Sequence, residues 1–249
     1  MADIIYCEWL KLRRSNIVLI GVLGSFIVPF LVIINEIRIC LLYKETTLSL
    51  NWIYEDTIMY IMLLFGPLVM EVVATYLISR EYTEKTLKTI FVVPLKRGQF
   101  MMGKIIMLLI LVLLFMTLTW LDIVVISIVS SLFFEVSQIT FLSVIYVLVQ
   151  MIKGGMLLFM TLTPFIYIAM RAKGTLIPFV IIAAGSLLNV VLSGSPVAGY
   201  YPWTITYLLQ TGRLGQSGCP PVIGIAILIF VCIFGICISI LRFQREDIV

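Results

Sequence analysis

The 249-residue chain contains no histidine. His-dependent catalytic triads, imidazole acid/base chemistry and HExxH zinc sites are therefore excluded. Charge is scarce too, at 12% of residues, against about a quarter in a soluble domain. Seventeen basic and thirteen acidic side chains cannot coat a water-soluble sphere of this size, so lipid must be the main solvent. The five cysteines, at positions 7, 40, 219, 232 and 237, form no CxxC pair, and their odd number suggests no disulfide framework. There is no low-complexity tract and no repeat between the halves. The net charge of +4 is no argument for a nucleic-acid partner, because membrane topology accounts for it.

What is present is apolar: 62% of residues are hydrophobic. Runs at roughly residues 17–34, 57–79, 105–129, 141–170, 176–193 and 221–241 approach or exceed the ~20 residues a transmembrane helix needs. Residues 105–115 are apolar at nearly every position, which excludes the alternating pattern of a β-barrel. The first run follows Lys11, Arg13 and Arg14 as in a signal peptide. No small-residue cleavage pattern comes after it, and Asn35-Glu36-Ile37-Arg38 follows directly, so an uncleaved helix is expected. Thirteen of the seventeen Lys and Arg fall on one side of these spans and three on the other, with Lys153 inside. This asymmetry puts both termini in the cytoplasm. The predicted fold is an all-α integral membrane protein with six transmembrane helices, N-in and C-in, forming a single transmembrane domain over residues 1–249.

Three stretches lie outside the spans. In residues 1–16, Ile5, Trp9 and Leu12 form one apolar stripe with Glu8 and Lys11 off it, predicting an interfacial elbow helix on the cytoplasmic side. Residues 80–104 carry six basic side chains, and Leu87, Ile90 and Phe91 fall at i, i+3 and i+4 before Pro94. A short helix would present that cluster together, ready for a partner protein or for lipid. Residues 194–220 carry Tyr200, Tyr201, Trp203 and Tyr207 between Gly and Pro residues. They read either as an interfacial aromatic belt or as an extracellular re-entrant hairpin whose Tyr200, Tyr201 and Trp203 form an outer gate. Gly98 to Lys104 nearly matches a P-loop, but Ile105 replaces the Mg²⁺-binding hydroxyl and no strand precedes it, so it is not a nucleotide site.

Three ionisable residues fall inside spans: Glu71, Asp122 and Lys153. Each needs a partner or water in hydrocarbon. Asp122 and Lys153 both lie about 26 Å from the cytoplasmic ends of their helices by helical rise, so they can pair. Glu71 follows Gly66-Pro67, which loosens the helix one turn earlier. It reads either as a hydrogen-bonded structural carboxyl or as a site attracting a cationic part of a substrate. Gly21, Gly24, Ser25, Gly154 and Gly155 would permit close helix approach.

The 80–104 loop resembles the cytoplasmic loop of type-2 ABC exporter permeases, through Arg80, Glu81, Thr86, Leu87, Pro94, Arg97, Gly103 and Lys104. The tail, on Phe243, Arg245 and Asp247, is similar to that family's short ending, and Glu8 to Arg14 is similar to its elbow helix. The resemblance implies a multi-pass protein of the bacterial cell membrane, paired with a second permease subunit and driven by two separate ABC ATPase subunits. Those subunits would dock on Arg80, Glu81, Thr86, Leu87, Ile90, Phe91, Pro94 and Arg97, and ATP and Mg²⁺ would be held there rather than by this chain. Size and the absence of a large ectodomain resemble the small permeases of bacitracin resistance and lantibiotic immunity, which remove peptide antibiotics. The alternative is a secondary transporter or channel using Glu71, Asp122 and Lys153. An intramembrane enzyme lacks a suitable pair of carboxylates.

Overall fold

The computed structural model describes residues 2–13, 15–43, 47–84, 86, 96–137, 140–172, 174 and 176–245. Among these the chain runs through α1 (Ala2–Arg13), α2 (Ile17–Tyr43), α3 (Leu50–Tyr60), α4 (Gly66–Thr83), α5 (Arg97–Ser130), α6 (Phe141–Ala172), α7 (Leu176–Leu192), α8 (Pro202–Gln210) and α9 (Pro221–Gln244). A π-helical turn, Ile61–Phe65, joins α3 to α4, so Leu50–Thr83 is one continuous apolar rod. Lipid offers no partner for backbone N–H and C=O groups, so a long apolar run must satisfy them internally as a helix.

Among the described residues five rods are long and apolar enough to cross a membrane: Ile17–Leu42, Leu50–Thr83, Arg97–Ser130, Phe141–Ala172 and Pro221–Gln244. The sixth expected span, α7, has 17 residues, roughly 25 Å by helical rise against a hydrocarbon core of about 30 Å. The charged loop expected over 80–104 is also shorter. Helix α4 continues to Thr83 and α5 begins at Arg97, with extended Lys96 before it. Leu87, Ile90, Phe91 and Pro94 lie outside the described residues, as does Asp247.

One non-helical feature escapes hydrophobic periodicity. Thr47–Ser49 pairs in parallel with Glu135–Ser137, in the register Thr47 to Glu135 and Ser49 to Ser137. This ladder ties the α2–α3 connection to the α5–α6 connection.

The core is a seam around α6, which contacts α4, α5, α7, α8 and α9. Ile61, Met62, Leu108, Leu158 and Leu162 are fully buried there, while Phe30, Val191 and Phe230 point outward. Large apolar side chains on the outside are stable only against lipid or another chain. Helix α6 and α9 cross closely at Gly235, where a Cβ would stand 2.6 Å from the Pro164 nitrogen. Pro164 cannot donate to the Met160 carbonyl one turn earlier, and the Thr163 hydroxyl donates to it instead at 3.1 Å. Of the small residues expected at contacts, Gly24 meets Val69, Gly154 meets Met62 and Gly155 meets Met116, whereas Gly21 faces open space.

Candidate functional site

At the end of the bundle that carries α1, four charged side chains from three helices converge. Lys104 of α5 lies 3.2 Å from Glu8 of α1 and 3.2 Å from Glu81 of α4. Lys11 of α1 bridges the same two carboxylates at 3.0 Å and 2.8 Å. Glu8, Glu81 and Lys104 are each at most 3% exposed. Such burial of isolated charges would cost several kcal/mol apiece; two cations against two anions, with hydrogen bonds on the remaining donors, offset that. The third donor of Lys104 goes to the Leu77 carbonyl at 2.8 Å, and the Arg80 guanidinium donates to the Lys11 carbonyl at 3.1 Å. Burial alone would depress the Lys11 ammonium, but the hydrogen bond and charge of Glu81, then those of Glu8, outweigh it and hold its pKa above the usual lysine value. A raised lysine pKa contributes stability that is complete at neutral pH and lost only as pH climbs through the alkaline range.

Local sequence explains how α1 reaches this position. Gly103 lets it approach, since a Cβ there would stand 2.6 Å from Ile4 Cγ2. The expected apolar stripe of α1 divides: Leu12 is buried, Trp9 is 40% exposed, and Glu8 turns inward instead. Helix α9 closes the junction. Phe243 stacks on Phe100 at 5.8 Å, and Arg97 donates to the Gln244 carbonyl at 3.2 Å. Thr86 bonds through its amide to the Glu81 carbonyl at 3.2 Å. The stretch from Gly98 to Lys104 is helical throughout, so from Gln99 onward its amides serve the helix rather than a phosphate.

A second polar site lies inside the bundle. The π turn sends the Gly66 amide to the Ile61 carbonyl, and Pro67 has no amide to send to Leu63. The carbonyls thereby deprived, those of Met62 and Leu63, accept the Asn189 side-chain amide at 3.3 Å and 2.9 Å. The Asn189 oxygen in turn accepts the Thr204 hydroxyl at 2.8 Å. Asn189 and Thr204 are fully buried. The expected loosening at Gly66-Pro67 is thus a π turn held by α7 and α8.

Glu71 sits one turn past it and is fully buried. Among the described residues neither carboxyl oxygen finds a hydrogen-bond partner within bonding distance; the group facing it is the Trp203 indole. Trp203 packs at 5.3 Å on Phe165 and at 5.2 Å on Tyr201, whose phenol donates to the Gly185 carbonyl at 3.1 Å. Of the three aromatics expected together, Tyr201 and Trp203 join Glu71 and Tyr200 is half-exposed. Helix α8 is not a surface belt: Thr204, Ile205, Thr206, Leu208 and Gln210 are buried.

The expected Asp122–Lys153 pair does not form. Asp122 faces the Ser25 hydroxyl of α2, and the Lys153 ammonium donates to the Leu209 carbonyl at 3.4 Å. Helical depth gave the two residues the same level but not the same side of the seam. Sequence reasoning also missed Asn189, Thr204 and the inward role of Glu8. A proline preceded by glycine inside an apolar run, with an Asn in another, was the available signal for the first two.

A bundle of several apolar rods, apolar on its outer faces as well as in its core and stapled by buried polar groups, defines a multi-pass membrane protein. Residues 4–189 match the ABC-2 family transporter protein family, and the chain belongs to that family of transporter permeases. A bacitracin transport permease protein of Bacillus licheniformis is 24% identical over 206 residues, covering 83% of this chain and 97% of that protein.

Proposed function

We propose that this chain is the transmembrane permease subunit of an ATP-driven exporter that removes a peptide antibiotic, bacitracin or a lantibiotic, from the membrane. Six spans place both termini in the cytoplasm, with α7 as the short fifth span and α1 as the elbow helix at the interface. Two ABC ATPase subunits dock on the loop between α4 and α5 and hold the ATP and Mg²⁺, and a second permease subunit completes the pair. The observation that carries this reading is the ionic junction. Glu81 before the loop and Lys104 after it are clamped to Glu8 and Lys11, so a push on the loop reaches α1 and, through Ser15-Asn16, the first span. Changing Leu87, Ile90 and Phe91 together to Ser should abolish co-purification with the ATPase; retained association contradicts the docking surface.

Glu71, sealed beneath Trp203 and Tyr201, becomes accessible when α8 moves and attracts a cationic part of the substrate. Glu71→Gln should leave the protein in the membrane but lower antibiotic resistance several-fold, measured as the inhibitory concentration. Unchanged resistance would make Glu71 a purely structural carboxyl. An ion relay through Glu71, Asp122 and Lys153 has little support, because each goes to a different partner.

A further inference from the structure

The first two turns of α5, directly after the α4–α5 loop, carry Arg97, Phe100 and Lys104 at i, i+3 and i+7, on one stripe of the helix. Lys104 serves the ionic junction with α1 and α4. The other two go to α9. We propose that the stack of Phe100 on Phe243 is a second transmission contact, which carries motion of the loop into α9 and from there into the α6 seam. The proposal rests on the exporter reading, in which ATPase subunits move that loop.

Three observations lead to it. The first is how the end of α9 is held. In its last turn Leu241, Arg242 and Gln244 are exposed and Phe243 is buried. The rings of Phe243 and Phe100 lie 5.8 Å apart with 25° between their planes, and both residues are only 3% exposed. Arg97 donates to the Gln244 carbonyl at 3.2 Å. At Gly98 a Cβ would stand 3.0 Å from the Gln244 side-chain amide, so the end of α9 rests directly on the start of α5.

The second is that the stack shares a residue with the junction. The Lys104 ammonium lies 5.1 Å from the centre of the Phe100 ring, a cation–π contact. A displacement of the start of α5 therefore acts on α1 and α9 together.

The third is what α9 meets farther along. Gly235, two turns or about 12 Å before Phe243 by helical rise, brings α9 onto the α6 backbone at Pro164. The Thr163 hydroxyl also donates to the Cys232 carbonyl at 3.3 Å. Close packing with no intervening side chain transmits a displacement rather than absorbing it. Pro164 lies inside α6, where a missing amide hydrogen bond lets a helix bend. Motion received at Phe243 is thus delivered where α6 yields most easily. Phe243 acts through α9 and is a positioning residue.

The test uses the permease–ATPase complex in nanodiscs, with a nitroxide on one native cysteine at a time and the remaining cysteines changed to Ala. Cys237, exposed on α9 between Gly235 and Phe243, reports the proposed route; Cys7, exposed on α1, reports the ionic one. Trapping the complex with ATP and vanadate should shift the label spectrum at both positions. Phe243→Leu should abolish the shift at Cys237 while keeping the shift at Cys7 and co-purification with the ATPase. Phe243→Tyr, which retains the ring, should keep both shifts. Phe100→Leu reads the same contact from α5 if Phe243→Leu fails to fold. An undiminished shift at Cys237 in either leucine variant, or loss of both shifts in Phe243→Leu, overturns the proposal. No shift at either position in the unsubstituted complex would sink the exporter reading itself, and the proposal with it.

Discussion

Lys104→Met is expected to lower thermal stability in detergent more than any other single change at the ionic junction. Two buried carboxylates, Glu8 and Glu81, would be left sharing one partly exposed ammonium, that of Lys11. The Leu77 carbonyl would lose its side-chain donor as well. Breaking a buried pair from one side costs about 3–5 kcal/mol, because the surviving charge stays desolvated and unbalanced. The sign of the effect can be separated from lost packing. Methionine keeps most of the aliphatic stem, and adding Glu8→Gln to Lys104→Met restores charge balance in the cluster. The double variant should therefore be more stable than Lys104→Met alone. If both melt at the same temperature, the junction is held by packing rather than by charge.

Asn189→Leu is the second large effect, expected to cost about 2–4 kcal/mol. The Met62 and Leu63 carbonyls would both lose their donor inside the bundle, and the Thr204 hydroxyl its acceptor. An unmet buried polar group costs about 1–3 kcal/mol, and individual side-chain hydrogen bonds in membrane proteins average about 0.6 kcal/mol. Thr204→Val removes one of these bonds and leaves both carbonyls satisfied, so it should cost about 1 kcal/mol or less. Equal losses in the two variants, compared by thermal unfolding in nanodiscs, would show that Asn189 does not cap the π turn. The prediction also separates two roles of the α4 region. Glu71 lies beside this turn, and a collapsed turn would alter its surroundings without touching its carboxyl.

Much of the architecture was legible in one dimension. A chain with 12% charge and 62% hydrophobic residues has to fold in lipid, and the positions of its apolar runs coincide with the long helices to within a few residues at most ends. The π turn was half legible. Gly66-Pro67 marked a weak point, because proline withholds an amide whatever surrounds it. Its repair by Asn189, more than a hundred residues later, was not legible, because nothing local to Asn189 shows which backbone it faces.

Charge shows the same division more sharply. Glu8 lies off the apolar stripe of α1, and an isolated amphipathic helix would present it to water. In the bundle it faces inward, since Gly103 admits α1 against α5 and Lys104 waits there. Asp122 and Lys153 illustrate the converse. Their equal depth follows from helical rise, but which side chains meet depends on how each helix is rotated about its axis, and tight contacts such as Gly235 on Pro164 decide that. The sequence by itself determined the solvent, the helical class and the places where charge is expensive. Only the tertiary structure decided which charges share that expense, because partner choice is set by helix rotation and close approach rather than by position along the chain.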